Sequence, residues 1–132
     1  GTHVPLLAWS PALIPRGKTV DDLVDMADFY PTLCELAGVS SSEDRTIDGV
    51  SFVGPLTGTG PGRRHWVTAG IGDDFFVFDG QWRLHHKNTV LYDCRELPRE
   101  TRVETDSEAA AAARHRLLPV LNALRRLWAE EK

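Results

Sequence analysis

The sequence predicts a strand and helix of the α/β kind, followed by a small antiparallel sheet and a terminal helix. Three observations carry that expectation. Residues Val4–Trp9 form a nearly continuous apolar run, which suits a strand covered on both faces. Four short aromatic and β-branched runs crowd residues 65–93, too closely spaced for parallel crossovers. The tail carries the alanines 109–113 and an apolar stripe at helical spacing.

Taken in order, Pro5 has no N–H to give a ladder and fits a strand's first residue or an edge. Pro11, Pro15 and Gly17 then impose a loop. Leu23, Val24, Met26 and Ala27 read as a short strand or a helical turn. Asp28 is placed to cap a helix over Phe29–Ala37, with Pro31 in its first turn and Gly38 at its C′ position. Phe29, Leu33 and Leu36 give that helix one apolar face. Residues 40–64 are turn and loop, with one helical turn near Phe52–Leu56.

The strands follow: one from His65 to Gly70, one from Phe75 to Phe78, one from Trp82 to Lys87 and one from Val90 to Asp93. Asp79-Gly80 reads as a hairpin turn that Gln81 lengthens. Thr105 with Glu108 reads as a capping box for the last helix. Leu117, Leu121, Leu124 and Trp128 make its apolar stripe, and Pro119 predicts a kink or break.

Composition excludes several classes. With 42% apolar and 26% charged residues in 132, the chain is of ordinary globular make-up. Fifteen Lys and Arg against nineteen Asp and Glu give a net charge of −4, which argues against a nucleic-acid module. No apolar run reaches the ~20 residues of a membrane helix. The chain opens on Gly1-Thr2-His3 with its single Met at position 26, which suggests a piece of something longer. Cys34 and Cys94 pair only if the fold joins them, and they leave the redox compartment open.

No complete catalytic constellation is written in the residues. There is no His-Glu-x-x-His, no Cys-x-x-Cys and no Gly-x-Ser-x-Gly. His85 and His86 are adjacent, so on a strand they point to opposite faces, one to solvent and one to the sheet. Asp73-Asp74 meets the same difficulty, and His65 and His115 stand without chemical company. The glycine-rich stretch 54–62 lacks the Lys-Ser/Thr ending of a phosphate loop. His3 stands out by its surroundings, just before the apolar run. It precedes its strand, so the rule that sites line the carboxyl ends of strands does not itself place it at one.

Several short segments together resemble the sulfatase family. Gly1-Thr-His-Val-Pro-Leu-Leu-Ala-Trp-Ser-Pro11 is similar to G-x-R/H-V-P-L-I-x-x-W-P-G. Residues 22–38, with Asp28, Pro31, Thr32, Leu33 and Gly38, resemble D-L-V-S-x-x-D-L-x-P-T-L-L-D-L-A-G. Asp48-Gly-Val-Ser-Phe52 with Pro55, Leu56 and Gly58 resembles D-G-x-S-L-x-P-L-L-x-G. Gly80-Gln-Trp-Arg-Leu84 resembles G-x-W-K-L, and Leu91-Tyr-Asp93 with Leu97, Pro98 and Glu100 resembles L-Y-D-L-x-x-D-P-x-E. The order and approximate spacing also match.

The resemblance implies the C-terminal portion of a sulfatase of the alkaline-phosphatase-like superfamily. Residues 1–38 would be the end of its large catalytic α/β domain, one strand and one helix. Residues 39–132 would be a small α+β subdomain, a four-stranded antiparallel sheet with a C-terminal helix. The family's nucleophile is a formylglycine made from the Cys or Ser of C/S-x-P-x-R, and a calcium ion polarises the sulfate. Neither Cys34 nor Cys94 is followed by the required proline, and the family's calcium ligands lie upstream. The implied substrate is a sulfate ester, and the implied partner is the missing N-terminal catalytic part. His3 takes the family's Arg/His position, which implies a substrate-binding or supporting residue, with a His that pins the loop by hydrogen bonds as the competing reading. Two other readings stand beside it: a non-catalytic module docking through residues 1–38, and a phosphatase or phosphodiesterase of the same superfamily.

Overall fold

The computed structural model describes residues 4–40 and 47–130. The chain divides between His65 and Trp66 into two compact units. In the first unit, residues 4–9 pair with no strand, contrary to the strand expected there. Leu7 is 93% and Trp9 81% exposed. The cause is physical: an apolar strand is held by neighbours on both edges, and none of the described residues supplies one.

Residues 26–28 make a 3-10 turn whose N-cap is Asp25, and α1 follows over Phe29–Ala37. Gly38 closes α1 at φ 67°, with its N–H donating to the Cys34 and Glu35 carbonyls. The buried face of α1 differs from the expected stripe. Thr32 is buried, Phe29 and Leu36 are half-buried, and Leu33 points outward. A short helix α2 spans Val53–Thr57 and ends at Gly58. The Phe29 and Phe52 rings meet edge to face, their centroids 5.5 Å apart. Residues on both sides of position 38 therefore pack together.

The second unit is a meander of five strands, one more than expected: β1 Val67–Ile71, β2 Asp74–Phe78, β3 Trp82–His85, β4 Leu91–Asp93 and β5 Thr101–Arg102. All neighbours are antiparallel, and the register pairs Val77 with Thr68 and Leu84 and, next along, Leu84 with Leu91. The β2–β3 loop closes as expected with three residues. Asp79 N–H donates to the Trp82 carbonyl, and the Asp79 carboxylate accepts the Gln81 and Trp82 N–H groups. β5 has two residues and no apolar pattern, so nothing local announces it.

Helix α3 runs over Glu108–Glu130. Its cap is Ser107 and not Thr105: the Ser107 hydroxyl accepts the Ala110 N–H at 3.2 Å. Thr105 lies two residues too early for that bond. Pro119 does not break the helix, because Ala113, Leu117 and Leu121 are buried on both sides of it. These three, with Ala110, close over Phe75, Val77, Trp82, Leu84 and Leu91 to form the core of this unit. Alternation along β2 and β3 sends Phe75, Val77, Trp82 and Leu84 toward α3 and Phe76, Arg83 and His85 to the other face.

Candidate functional site

The best-built polar cluster of the first unit surrounds Asp28. Sequence logic gave this residue to the start of α1, but its carboxylate makes no cap bond to that helix. Instead it is 0% exposed and accepts from four donors. These are the Asp25 N–H at 2.7 Å, the Val50 N–H at 2.6 Å, Arg64 Nε at 2.6 Å and Arg64 Nη2. Arg64 also donates to the Asp48 carbonyl at 3.2 Å. Thr32 extends the tie: its hydroxyl donates to the Asp28 carbonyl at 2.6 Å and accepts the Phe52 N–H at 3.1 Å. Gly49 fits this crossing because a Cβ there would stand 2.1 Å from the Ala27 carbonyl oxygen.

Burial pushes the Asp28 carboxyl up, yet its bonds to Arg64, Val50 and Asp25 outweigh burial and hold it below the usual 3.8. A carboxylate this fully bonded has no lone pair left for general-base work. The cluster ties the segment before α1 to the segment before α2. A groove of about 480 Å³ opens beside it, lined among others by Cys34, Glu35, Ser51 and Arg63.

A second tie lies on the outer face of the sheet. The Arg83 guanidinium stands 4.9 Å from the Phe76 ring centre and 5.6 Å from that of Tyr92, and it pairs with Glu100. The segments that resemble G-x-W-K-L and L-Y-D…P-x-E thus meet through Arg83 and Glu100. In the same way, the segments around Asp28 and Asp48 meet through Asp28, Val50 and Arg64. In all four segments, the motif residues hold chain to chain.

The residues singled out by sequence fall as follows. His3 lies outside the described residues. His85 and His86 do face opposite ways, but neither simply faces solvent. His85 packs near the Phe76 and Tyr92 rings, and His86 stacks on Phe75 at 4.2 Å. His65 and His115 are exposed. Cys34 and Cys94 are free thiols, and burial pushes the Cys94 thiol up. In the glycine-rich loop, the Thr59 and Gly60 N–H groups donate to the Gly54 carbonyl, so they are not turned toward a phosphate. Among the described residues, no three His, Cys, Asp or Glu side chains converge to hold a metal. Arg64 and Arg125 are the structurally important charges that sequence reasoning passed over. Their partners are remote in sequence, 36 residues apart for Arg64 and Asp28 and 39 for Arg125 and His86.

Known proteins give the chain its relatives. It is 34% identical over 119 residues to an uncharacterised sulfatase, YdeN, of Escherichia coli, a match covering 87% of this chain and 21% of that protein. It is 39% identical over 59 residues to human steryl-sulfatase, covering 44% of this chain and 10% of the relative. It is 34% identical over 58 residues to dog N-acetylgalactosamine-6-sulfatase, covering 44% and 11%. The chain thus spans about a fifth or less of the length of these relatives. No family model matches, and no solved structure matches.

Proposed function

The chain belongs to the sulfatase family, and from that premise we propose that it forms the C-terminal part of a sulfuric ester hydrolase. The observation that carries this reading is the match over 87% of the chain to only 21% of a sulfatase. The nucleophile and the calcium site then belong to the upstream part. Neither cysteine here has the sequence of a formylglycine precursor, and the described residues offer no metal cluster, so no catalytic step is assigned to them. Apart from His3, what this chain contributes is structural: the exposed residues 4–9 enter the sheet of the large α/β domain, and the clamped and sheet-bearing units support it. The same exposed run favours the second reading, a non-catalytic module that docks through residues 1–38.

The test is hydrolysis of p-nitrophenyl sulfate. The purified 132-residue chain is expected to show no turnover above buffer, while the full-length protein turns the ester over. Turnover by the chain alone would overturn the assignment of the chemistry to the upstream part. An inactive full-length protein would favour the docking module.

His3 is assigned to the substrate pocket of the full-length enzyme. A side chain that binds the transferring group stabilises charge that grows in the transition state, and one such contact is worth about 10²–10³ in rate. His3→Ala is therefore expected to lower kcat/KM by well over tenfold. Unchanged kinetics in a well-folded variant would remove His3 from the site.

A further inference from the structure

We propose that the C-terminal end of α3 is held by a protonation-sensitive latch formed by His86 and Arg125, which opens when His86 takes up a proton. Arg125 Nε donates to His86 Nδ1 at 3.0 Å, Arg125 Nη2 donates to the His86 carbonyl, and Nη1 donates to Asn122 Oδ1 at 3.1 Å. A guanidinium has donors only and keeps its proton throughout the accessible pH range. Nδ1 must therefore present its lone pair, which fixes His86 as the neutral tautomer with hydrogen on Nε2.

The imidazole lies flat on the Phe75 ring, 4.2 Å between centres and 15° between planes. Phe75 also meets Trp128 at 4.4 Å. One neutral ring thus joins β2 to the helix residues 122–128 through both a hydrogen bond and an aromatic stack. Protonating Nδ1 turns the acceptor into a donor, sets N–H against N–H and brings two cations into contact. The Nε–Nδ1 bond to Arg125 is then lost, and repulsion between the two cations loosens the hold of β2 and the adjoining His86 on the helix residues 122–128.

The charges facing His86 come from every side. Burial favours the neutral ring, and Arg125 on α3 and Lys87 add to that. Asp74 on β2 and the adjoining Asp73 oppose it. The balance lies below the usual 6.5. The latch therefore contributes fully above pH 6.5, and its contribution is lost as pH falls from there through the lower folded value. His85 is also held below 6.5, by burial and by Arg83, but it sits on the opposite face with Phe76 and Tyr92. The two responses are separable by where they appear.

Nuclear magnetic resonance on the full 132-residue chain tests the latch. At pH 8 the His86 ring is expected to show an unprotonated Nδ1. On acidification, the backbone signals of residues 122–130 and the Trp128 indole are expected to move with the His86 midpoint. His86→Phe keeps a ring against Phe75 and should abolish that response. Arg125→Met should raise the His86 midpoint toward the ordinary value. A hydrogen on Nδ1 at pH 8, or an undiminished response in His86→Phe, would overturn the proposal. The tautomer measurement needs no variant, so the latch stays open to refutation if either substitution fails to fold.

Discussion

Asp28→Ala is expected to destabilise the first unit by about 3–5 kcal/mol, the usual cost of breaking a buried ion pair by removing one partner. The Asp28 side chain is 1% and the Arg64 side chain 9% exposed, so solvent does little to screen either group. Deleting the carboxylate removes the shared acceptor of Arg64 Nε and Nη2, of the Val50 N–H and of the Asp25 N–H. Asp28→Asn should cost less, since an amide oxygen can still accept one N–H, although its NH₂ then faces Arg64. The pH dependence has a definite sign. The folded carboxyl is held below 3.8, so its contribution is present above 3.8 and is lost as pH falls through the lower folded value. Urea unfolding at neutral pH, with amide exchange read at residues 25–32 and 48–52, measures the effect. A loss under 1 kcal/mol would mean that the clamp is not a main support of this unit.

Local chemistry explains which parts of the fold were legible. α1 was placed at Phe29–Ala37 because Pro31 and Gly38 punctuate it, and both act through their own backbone. β2 and β3 were legible because Phe75, Val77, Trp82 and Leu84 alternate with polar or outward residues, a period that belongs to the chain itself. The extra strand β5 was not, because Thr101 and Arg102 join the sheet only through pairing with Tyr92 and Asp93. Residues 4–9 failed in the opposite sense: the pattern of a buried strand is present, and the described residues contain no neighbour to pair with it. The cap of α3 shows how fine the margin is. Thr105 and Ser107 are both good caps by type, and only the bond to the Ala110 N–H distinguishes them.

The candidate site was less legible for a related reason. Apart from His3, the resemblance segments carried no site residue of their own. In the fold, Asp28 is spent on Arg64 and Val50, and Arg83 on Glu100, Phe76 and Tyr92. Sequence shows that such residues recur in a recognisable order. It does not show that their partners lie in another of the same segments, because a buried ion pair leaves no periodic trace. His3, the one residue assigned to substrate, rests on the resemblance alone.

Leu121→Ala is expected to cost the second unit about 2–5 kcal/mol, the range for large-to-small changes in a closed core. Leu121 is 0% exposed and belongs to the cluster formed with Phe75, Val77 and Leu84. Its place beyond Pro119 sharpens the expectation. Pro119 has no N–H to give to the helix, so the helix is short of a backbone bond at that point, and the packing of Leu117 and Leu121 compensates for it. The cavity should therefore weaken residues 119–130 more than residues 108–117, where the alanines and the Ser107 cap sustain the helix. Leu127 provides the contrast: at 57% exposed, Leu127→Ala should change stability by no more than about 0.5 kcal/mol. Denaturant unfolding gives the total for each variant, and amide exchange along α3 gives its distribution. Equal losses for Leu121→Ala and Leu127→Ala would refute the packing of α3 on the sheet. A uniform loss of protection along the helix would instead refute the compensating role given to the residues around Pro119.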